Sequence, residues 1–340
     1  MALVVEAGAE VLRGVLFARV AGQPRFVADA ACERGPSLSA AVEELAAMLA
    51  ARTGLAAGQI QRDPVFVVSD PDDLAHQSLV AIDRLHAISL SCAAVARARG
   101  AAVTYIEARR ADGRIVAIRA EPEGRPALET RPATAARDDD TGDARAALVE
   151  DCHRAWRAIG GTADLVIAGE PFAAMQPGVA MLTLADIVQP PVGRIEVVVD
   201  RDALTNVAAA LDEASMASVA ANDLLVASAL VVVVAGDGEP GLLAARGTIS
   251  TPDGRVVRFS VPWGSVELVA PRSWRGETAT IAGQDGATVG GERSARLALS
   301  RASHASILID ARGTTRLAAS EAQSASWLAD VGESATGHGG

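Results

Sequence analysis

The order of short strand-like and helical runs in the first hundred residues most constrains how this chain can fold. Leu3–Glu6, Leu12–Val20 and Arg25–Ala31 are strand-like runs, parted by Gly8 and by the turn Ala21-Gly22-Gln23-Pro24, and they predict an antiparallel meander. Ser37 then offers an N-cap, and Leu38, Val42, Leu45, Ala46 and Leu49 follow at helical spacing until Gly54. Val65–Val68 reads as a buried strand. After the apolar run Leu79–Leu85, Ser89 is expected to cap a helix through Arg99, and Ala102–Ile106 to close the unit as another strand. Together these runs predict an α/β unit on a mixed sheet.

Three meandering strands followed by alternating helices and strands is the order of a ribonuclease-H-like lobe, expected over residues 1–110. Residues 111–142 break the regularity. Asp112-Gly113 suits a hairpin turn, but three prolines and the run Asp138-Asp139-Asp140 predict a linker or reduced insertion. A second lobe is expected over 143–238. Leu148, Cys152, Ala155, Trp156 and Ile159 share a helical face that ends at Gly160-Gly161, and Leu165–Ala168 and Ile195–Val199 are strands flanking the helical run Gly178–Val188. Leu204, Val207, Ala208 and Leu211 mark a further helix. From 239 to 320 the texture changes to short, closely spaced strands, which predicts an all-β sandwich or barrel-like domain, with 321–340 as a tail.

Composition narrows the function classes. A chain of 340 residues that is 50% hydrophobic can bury two or three cores, and its net charge of -11 argues against nucleic acid and anionic membranes as partners. All its cations are arginine. The absence of lysine excludes Schiff-base catalysis, a lysine general base and a P-loop lysine. Cys32, Cys92 and Cys152 form no C-x-x-C pair, so neither a zinc knuckle nor a disulfide framework is expected, and the reducing cytoplasm is the expected location. No signal peptide is expected, because Glu6 and Glu10 follow Met1–Val5 directly. The longest apolar run, Leu224–Ala235, falls well short of the roughly 20 residues of a membrane span and reads as a helix end followed by a buried strand.

Several strings carry a family resemblance. They are Val4-Val5-Glu6-Ala7-Gly8 with Arg13-Gly14-Val15-Leu16-Phe17; Asp164–Pro171 (DLVIAGEP) with Asp186–Asp200; Val261–Leu268 (VPWGSVEL); and Ser306–Leu317 (SILIDARGTTRL). In these pieces the chain resembles the glutamate mutase L protein family, a branch of the actin/Hsp70/sugar-kinase superfamily found beside adenosylcobalamin-dependent mutases. The resemblance implies actin-like (ribonuclease-H-like) lobes followed by a C-terminal all-β domain. It also implies a site for ATP and magnesium in which Glu6, Gly8 and Gly169 would be the cofactor-binding residues, and a protein partner, either a mutase subunit or a full-length paralogue.

The departures from that pattern point away from catalysis. Glu6 stands where the family has an aspartate, and Ala9, Glu10, Val11 and Leu12 stand where hydroxyl residues approach phosphate. Glu10 would add like-charge repulsion beside a triphosphate. Glu170 and Pro171 replace glycines of the adenosine loop, and no second phosphate loop is recognisable between Tyr105 and Asp164, where Gly160-Gly161 reads as a helix C-cap. A truncated, degenerate pseudo-ATPase is expected, with no catalytic residue, no metal and no cofactor, ATP and Mg entering only if the site is retained. The alternatives are an active Mg-ATP-dependent ATPase or chaperone of the same family, and a protein- or small-molecule-binding module unrelated to mutases.

Other chemistry-bearing residues have plain structural readings beside the functional ones. Asp70, Asp72 and Asp73 suit a turn and helix start as well as a hard cation. His76 and His86 lack a third ligand at metal spacing, and neighbouring Cys152 and His153 point to different helix faces. His304 and Asp310 lie near Ser300, Ser303 and Ser306 without a Gly-x-Ser-x-Gly elbow. Asp310 and Arg312 suit an internal salt bridge or a partner contact, and Trp263 and Trp274 suit core packing or an exposed docking patch.

Overall fold

The computed structural model describes residues 1–60, 64–68, 81–109, 112–134, 142–161, 164–189, 193–236, 238–250, 256–269, 278–284, 286–289, 292–298, 306–313 and 320–333. Two compact units divide the chain. One comprises Met1–Ala101, Ile118–Pro126 and Asp202–Leu224; the other comprises Ala102–Ala117, Ala127–Arg201 and Leu225–Gly340.

In the first unit β1 (Ala2–Ala7), β2 (Val11–Val20) and β3 (Gln23–Glu33) make the expected antiparallel meander. Helix α1 (Leu38–Thr53) follows, its first turn capped by the Ser37 hydroxyl, which accepts from the Ala40 N–H at 3.3 Å. Gly54 ends it at φ 71°, a left-handed conformation that glycine adopts without a Cβ clash. β4 (Val65–Val68) adds parallel to β1, and β5 (Ala81–Asp83) parallel to β4, giving the order β3-β2-β1-β4-β5. Helix α2 (Arg84–Arg99) starts ahead of the expected cap. Asp83 accepts from the His86 N–H at 2.8 Å, while the Ser89 hydroxyl donates within the helix to the Leu85 carbonyl. Leu3, Val5, Leu12, Leu16 and Phe66 bury one sheet face in a core shared with Leu45 and Leu49 of α1.

The second unit repeats that topology. Its topology runs through β6 (Val103–Arg109), β7 (Arg114–Ala120, whose end from Ile118 groups with the first unit), β8 (Ala127–Pro132), α3 (Gly142–Ala158), β9 (Leu165–Ala168), α4 (Pro177–Val188) and β10 (Gly193–Val199). The strands lie in the order β8-β7-β6-β9-β10, with β6, β9 and β10 parallel. Two expectations change here. β6, read as the last strand of the first lobe, is the first strand of the second, and 111–142, read as a linker, supplies β7 and β8. Ile115-Val116-Ala117-Ile118 is fully buried, a strand-length apolar run masked in the sequence by the charges and prolines around it.

The chain next forms α5 (Leu204–Val207) and α6 (Glu213–Val219) in the first unit, before β11 (Ala229–Ala235) and β12 (Leu243–Ser250). Leu224–Ala235 is thus a helix end and a buried strand, as its sequence predicts. The remaining strands are β13 (Val256–Pro262), β14 (Val266–Val269), β15 (Thr278–Gly283), β16 (Thr288–Val289), β17 (Ser294–Ala298) and β18 (Ile307–Asp310). The C-terminal region is β-rich as expected, but it serves two sheets. β11, β18 and β14 extend the large sheet beyond β10, with β16 paired to β11, whereas β13-β12-β15-β17 form a separate antiparallel sheet. All four residues of β18 are buried, which suits a strand covered on both faces rather than one half-exposed in a small sandwich.

Helix α7 (Glu321–Glu333) replaces the start of the tail expected at 321–340. Trp327 and Val331, one turn apart, are buried in the core of α3 and α4. A Cβ at Gly178 would lie 2.3 Å from the Val331 carbonyl oxygen, so α4 meets α7 backbone to backbone there. Among the described residues no helix is long and apolar enough to cross a membrane.

Candidate functional site

Glu6 projects from β1 directly opposite Arg13 of β2 in the sheet register. Arg13 Nη1 lies 3.6 Å from one carboxylate oxygen; Arg84 Nε lies 3.4 Å from the other, which also accepts from Asn206 Nδ2 at 3.0 Å. Arg13 is in turn held by Asp29 at 2.9 Å. Asp29 also pairs with Arg52 at 3.6 Å, so the Glu6 and Asp29 carboxylates lie in an arginine-rich cluster with Arg13, Arg84 and Arg52. The sequence marked Glu6 but missed its partners. Arg13 was legible from the short turn between β1 and β2, whereas Arg84 and Asn206 are brought in by distant segments.

The turn that follows carries no phosphate-binding chemistry. The Gly8 N–H donates to the Val11 carbonyl at 2.9 Å and closes the turn on itself, and the Gly8 carbonyl accepts from Arg34. Ala9, Glu10 and Val11 are exposed and offer no hydroxyl, while Leu12 is buried in the core. Asn206 Oδ1 is a buried acceptor without a partner beside Glu6, a group suited to a cation and not to phosphate. A magnesium triphosphate does not fit these residues: the carboxylate is neutralised and the turn supplies a further negative charge at Glu10.

The second unit holds Gly169, and its surroundings explain the glycine without a nucleotide. A Cβ there would lie 2.3 Å from the Tyr105 hydroxyl oxygen and 3.0 Å from Glu107 Oε2. Tyr105 and Glu107 are both buried, the phenol donating to the carboxylate at 2.7 Å. Glu170 and Pro171 follow, joined by a cis peptide bond. Since β6 is the first strand of its unit, the β6–β7 turn is the topological counterpart of the turn between β1 and β2, a position that sequence reading could not place after assigning β6 elsewhere. Arg109 and Asp112 pair across that turn at 2.8 Å. Gly160 and Gly161 end α3 at φ 99° and 61°, with the Gly161 N–H on the Trp156 carbonyl, as their C-cap reading requires.

Asp310-Ala311-Arg312 builds a larger clasp than a turn salt bridge. Arg312 donates to both oxygens of Asp310, at 2.9 and 2.8 Å, and to Asp186 of α4 at 2.7 Å; Asp186 also takes Arg145 of α3 at 2.6 Å. The Arg312 guanidinium lies 5.0 Å from the centroid of the Trp327 ring. Burial disfavours its charge, but Asp310 and Asp186 outweigh that and raise its pKa above the ordinary arginine value. An adjoining cavity of about 300 Å³ is lined by Arg145, His153, Gln189 and Trp327 among others. His153 Nδ1 lies 2.6 Å from the Ile187 carbonyl, and Cys152 is buried apart from it, its thiol pushed up to about 12 by burial and by Asp151. No nucleophile–base pair exists there.

The remaining candidates separate cleanly. Trp263 is buried in the core between β11 and the four-stranded sheet, so it packs rather than docks, and His86 is exposed beside its Asp83 cap. Asp70, Asp72, Asp73, His76, Trp274, Ser300, Ser303 and His304 lie outside the described residues. Among the described residues no three His, Cys, Asp or Glu side chains gather where they could hold a metal ion.

Two successive sheets with the strand order 3-2-1-4-5, followed by a β-rich C-terminal region, define an actin-like α/β fold. No protein-family model matches the chain, and no curated protein matches it in sequence. Among solved structures it is similar to the type II variant of the Ppx/GppA phosphatase of Aquifex aeolicus, at 9% identity over 64% of this chain and 87% of that one, with a TM-score of 0.36. It is also similar to a chain of the PilM-PilN type IV pilus biogenesis complex (12% identity, 55% and 86% covered, TM-score 0.34). A third is the inorganic polyphosphate/ATP-glucomannokinase of Arthrobacter sp. strain KM (12%, 51% and 85%, TM-score 0.29). The strand order, not these likenesses, carries the fold assignment.

Proposed function

We propose that this chain is a non-catalytic actin-like scaffold that works through a protein partner in the cytoplasm. One observation carries the reading: Glu6, the carboxylate that would organise magnesium, is bound by Arg13, Arg84 and Asn206. Releasing it for a cation would break its ion pairs with both Arg13 and Arg84. The resemblance to the glutamate mutase L family names the partner class: a subunit of an adenosylcobalamin-dependent mutase, whose assembly or reactivation the scaffold assists, or a full-length nucleotide-competent paralogue.

Calorimetric titration with magnesium and ATP, run beside a phosphate-release assay, tests this directly. The scaffold reading expects no heat of binding tighter than about 100 µM, equivalent to roughly 5.5 kcal/mol of association free energy, and no turnover. Tighter binding with turnover that is lost in Glu6→Ala would reject it and restore the ATPase reading. Co-purification with a mutase subunit or paralogue, independent of nucleotide, is the expected positive result.

A further inference from the structure

The outer face of the four-stranded sheet presents three arginines that pair with no acidic side chain among the described residues. Pairing register sets Arg258 of β13, Thr248 of β12, Thr280 of β15 and Arg296 of β17 in one row across the sheet, so their side chains share a face. Arg246, two residues from Thr248 on β12, points the same way. The alternate positions Ile249, Val261, Ala279 and Ile281 are buried in the core on the opposite face. Arg246, Arg258 and Arg296 are exposed, and among the described residues none has an ion-pair or hydrogen-bond partner. Their neighbours in the same register are Ser250, Val256, Ser260, Thr278, Ala282 and Ser294, with no acidic side chain among the paired positions. At one end Arg296 joins Arg194, which has no ion-pair partner among the described residues, and Glu292 around a hollow of about 210 Å³.

Such a face runs against the composition of the chain, which has 42 acidic and 31 basic residues. Elsewhere several arginines are paired, as Arg13, Arg25, Arg145 and Arg312 are. The row spans three strand spacings, about 14 Å, and the rigid sheet holds its guanidinium forks ready for bidentate contact with carboxylates. A stacking platform for nucleic acid would need aromatic side chains, and Phe259 packs against the core on the other face. Long polyanions and anionic membranes would also meet the net charge of -11, whereas a short acidic segment responds to charge within a Debye length of about 8 Å. We propose that this face docks an acidic, extended segment of a partner protein, whose carboxylates are taken by Arg246, Arg258 and Arg296. The surface needs no nucleotide and stands whether or not the scaffold reading holds.

A fluorescein-labelled decapeptide of alternating Asp and Ser, titrated with the full chain and followed by fluorescence anisotropy, reads the surface. Saturable binding is expected, weakening at least tenfold in the triple variant Arg246→Ser, Arg258→Ser, Arg296→Ser and falling as salt rises from about 50 to about 300 mM. A control triple variant, Arg19→Ser, Arg52→Ser, Arg157→Ser, removes equal charge elsewhere and should keep most of the affinity. Arg258→Glu alone, on the edge strand, gives an independent reading should the triple variant unfold. Equal loss in the control, no binding by the wild type, or preference for an oligothymidylate or phosphatidylserine vesicles would overturn the proposal. So would arginine-dependent dimerisation in sedimentation, which would assign the face to a second copy.

Discussion

Gly169 exists because a phenol occupies the space a methyl group would need. With Tyr105 Oη 2.3 Å from the position of a Cβ, Gly169→Ala should lower unfolding free energy in urea by about 1–3 kcal/mol, the usual cost of overpacking. Pairing it with Tyr105→Phe should make the double variant less damaging than the sum of the singles, because the same atom is at stake in both. Strict additivity would show that the glycine serves something other than this contact. Cys152 offers a second residue-scale test. Its thiol titrates higher in the folded protein, about 12, than in the unfolded chain, so the folded state holds the proton longer as pH rises. That contribution is complete below the unfolded thiol pKa and is lost as pH climbs through the folded one. Alkaline stability should therefore fall less steeply between about pH 9 and 12 in Cys152→Ala than in the wild type.

The clasp around Arg312 belongs to the scale of elements, since that side chain joins α4, β18 and α7, and Asp186 passes the connection on to Arg145 of α3. Asp186 and Asp310 are both partners of that guanidinium; removing it takes the bidentate ion pair from the buried Asp310, while Asp186 keeps Arg145. Arg312→Ala should cost about 3–5 kcal/mol in chemical denaturation. Arg145→Ala, whose partner Asp186 keeps Arg312, should cost markedly less. Comparable losses would place the energy in the helix contacts rather than in the buried charges. The same elements explain why α7 was not legible: its buried face rests on Trp327 and Val331, and the glycine that lets it approach lies far upstream at Gly178.

Across the whole molecule, local pattern reached far but could not assign strands to sheets. The first meander, the Ser37 and Gly54 caps, the strand inside Leu224–Ala235 and most C-terminal strands follow from periodicity and turn residues. β7 and β8 did not, because short strands flanked by charge carry the composition of a loop, and so β6 was joined to the wrong unit. Of the candidate site, Glu6, Gly8 and Gly169 were visible as positions in a resemblance, whereas their present roles were not. Hydrophobic spacing and capping chemistry are properties of neighbours along the chain, and the sequence by itself determined most helices, most strands, the acidic balance and the absence of lysine chemistry. Tertiary structure alone decided the repeated strand order, the approach of Arg84 and Asn206 to Glu6, the phenol against Gly169 and the arginine face of the four-stranded sheet, because each depends on groups brought together across long sequence separations.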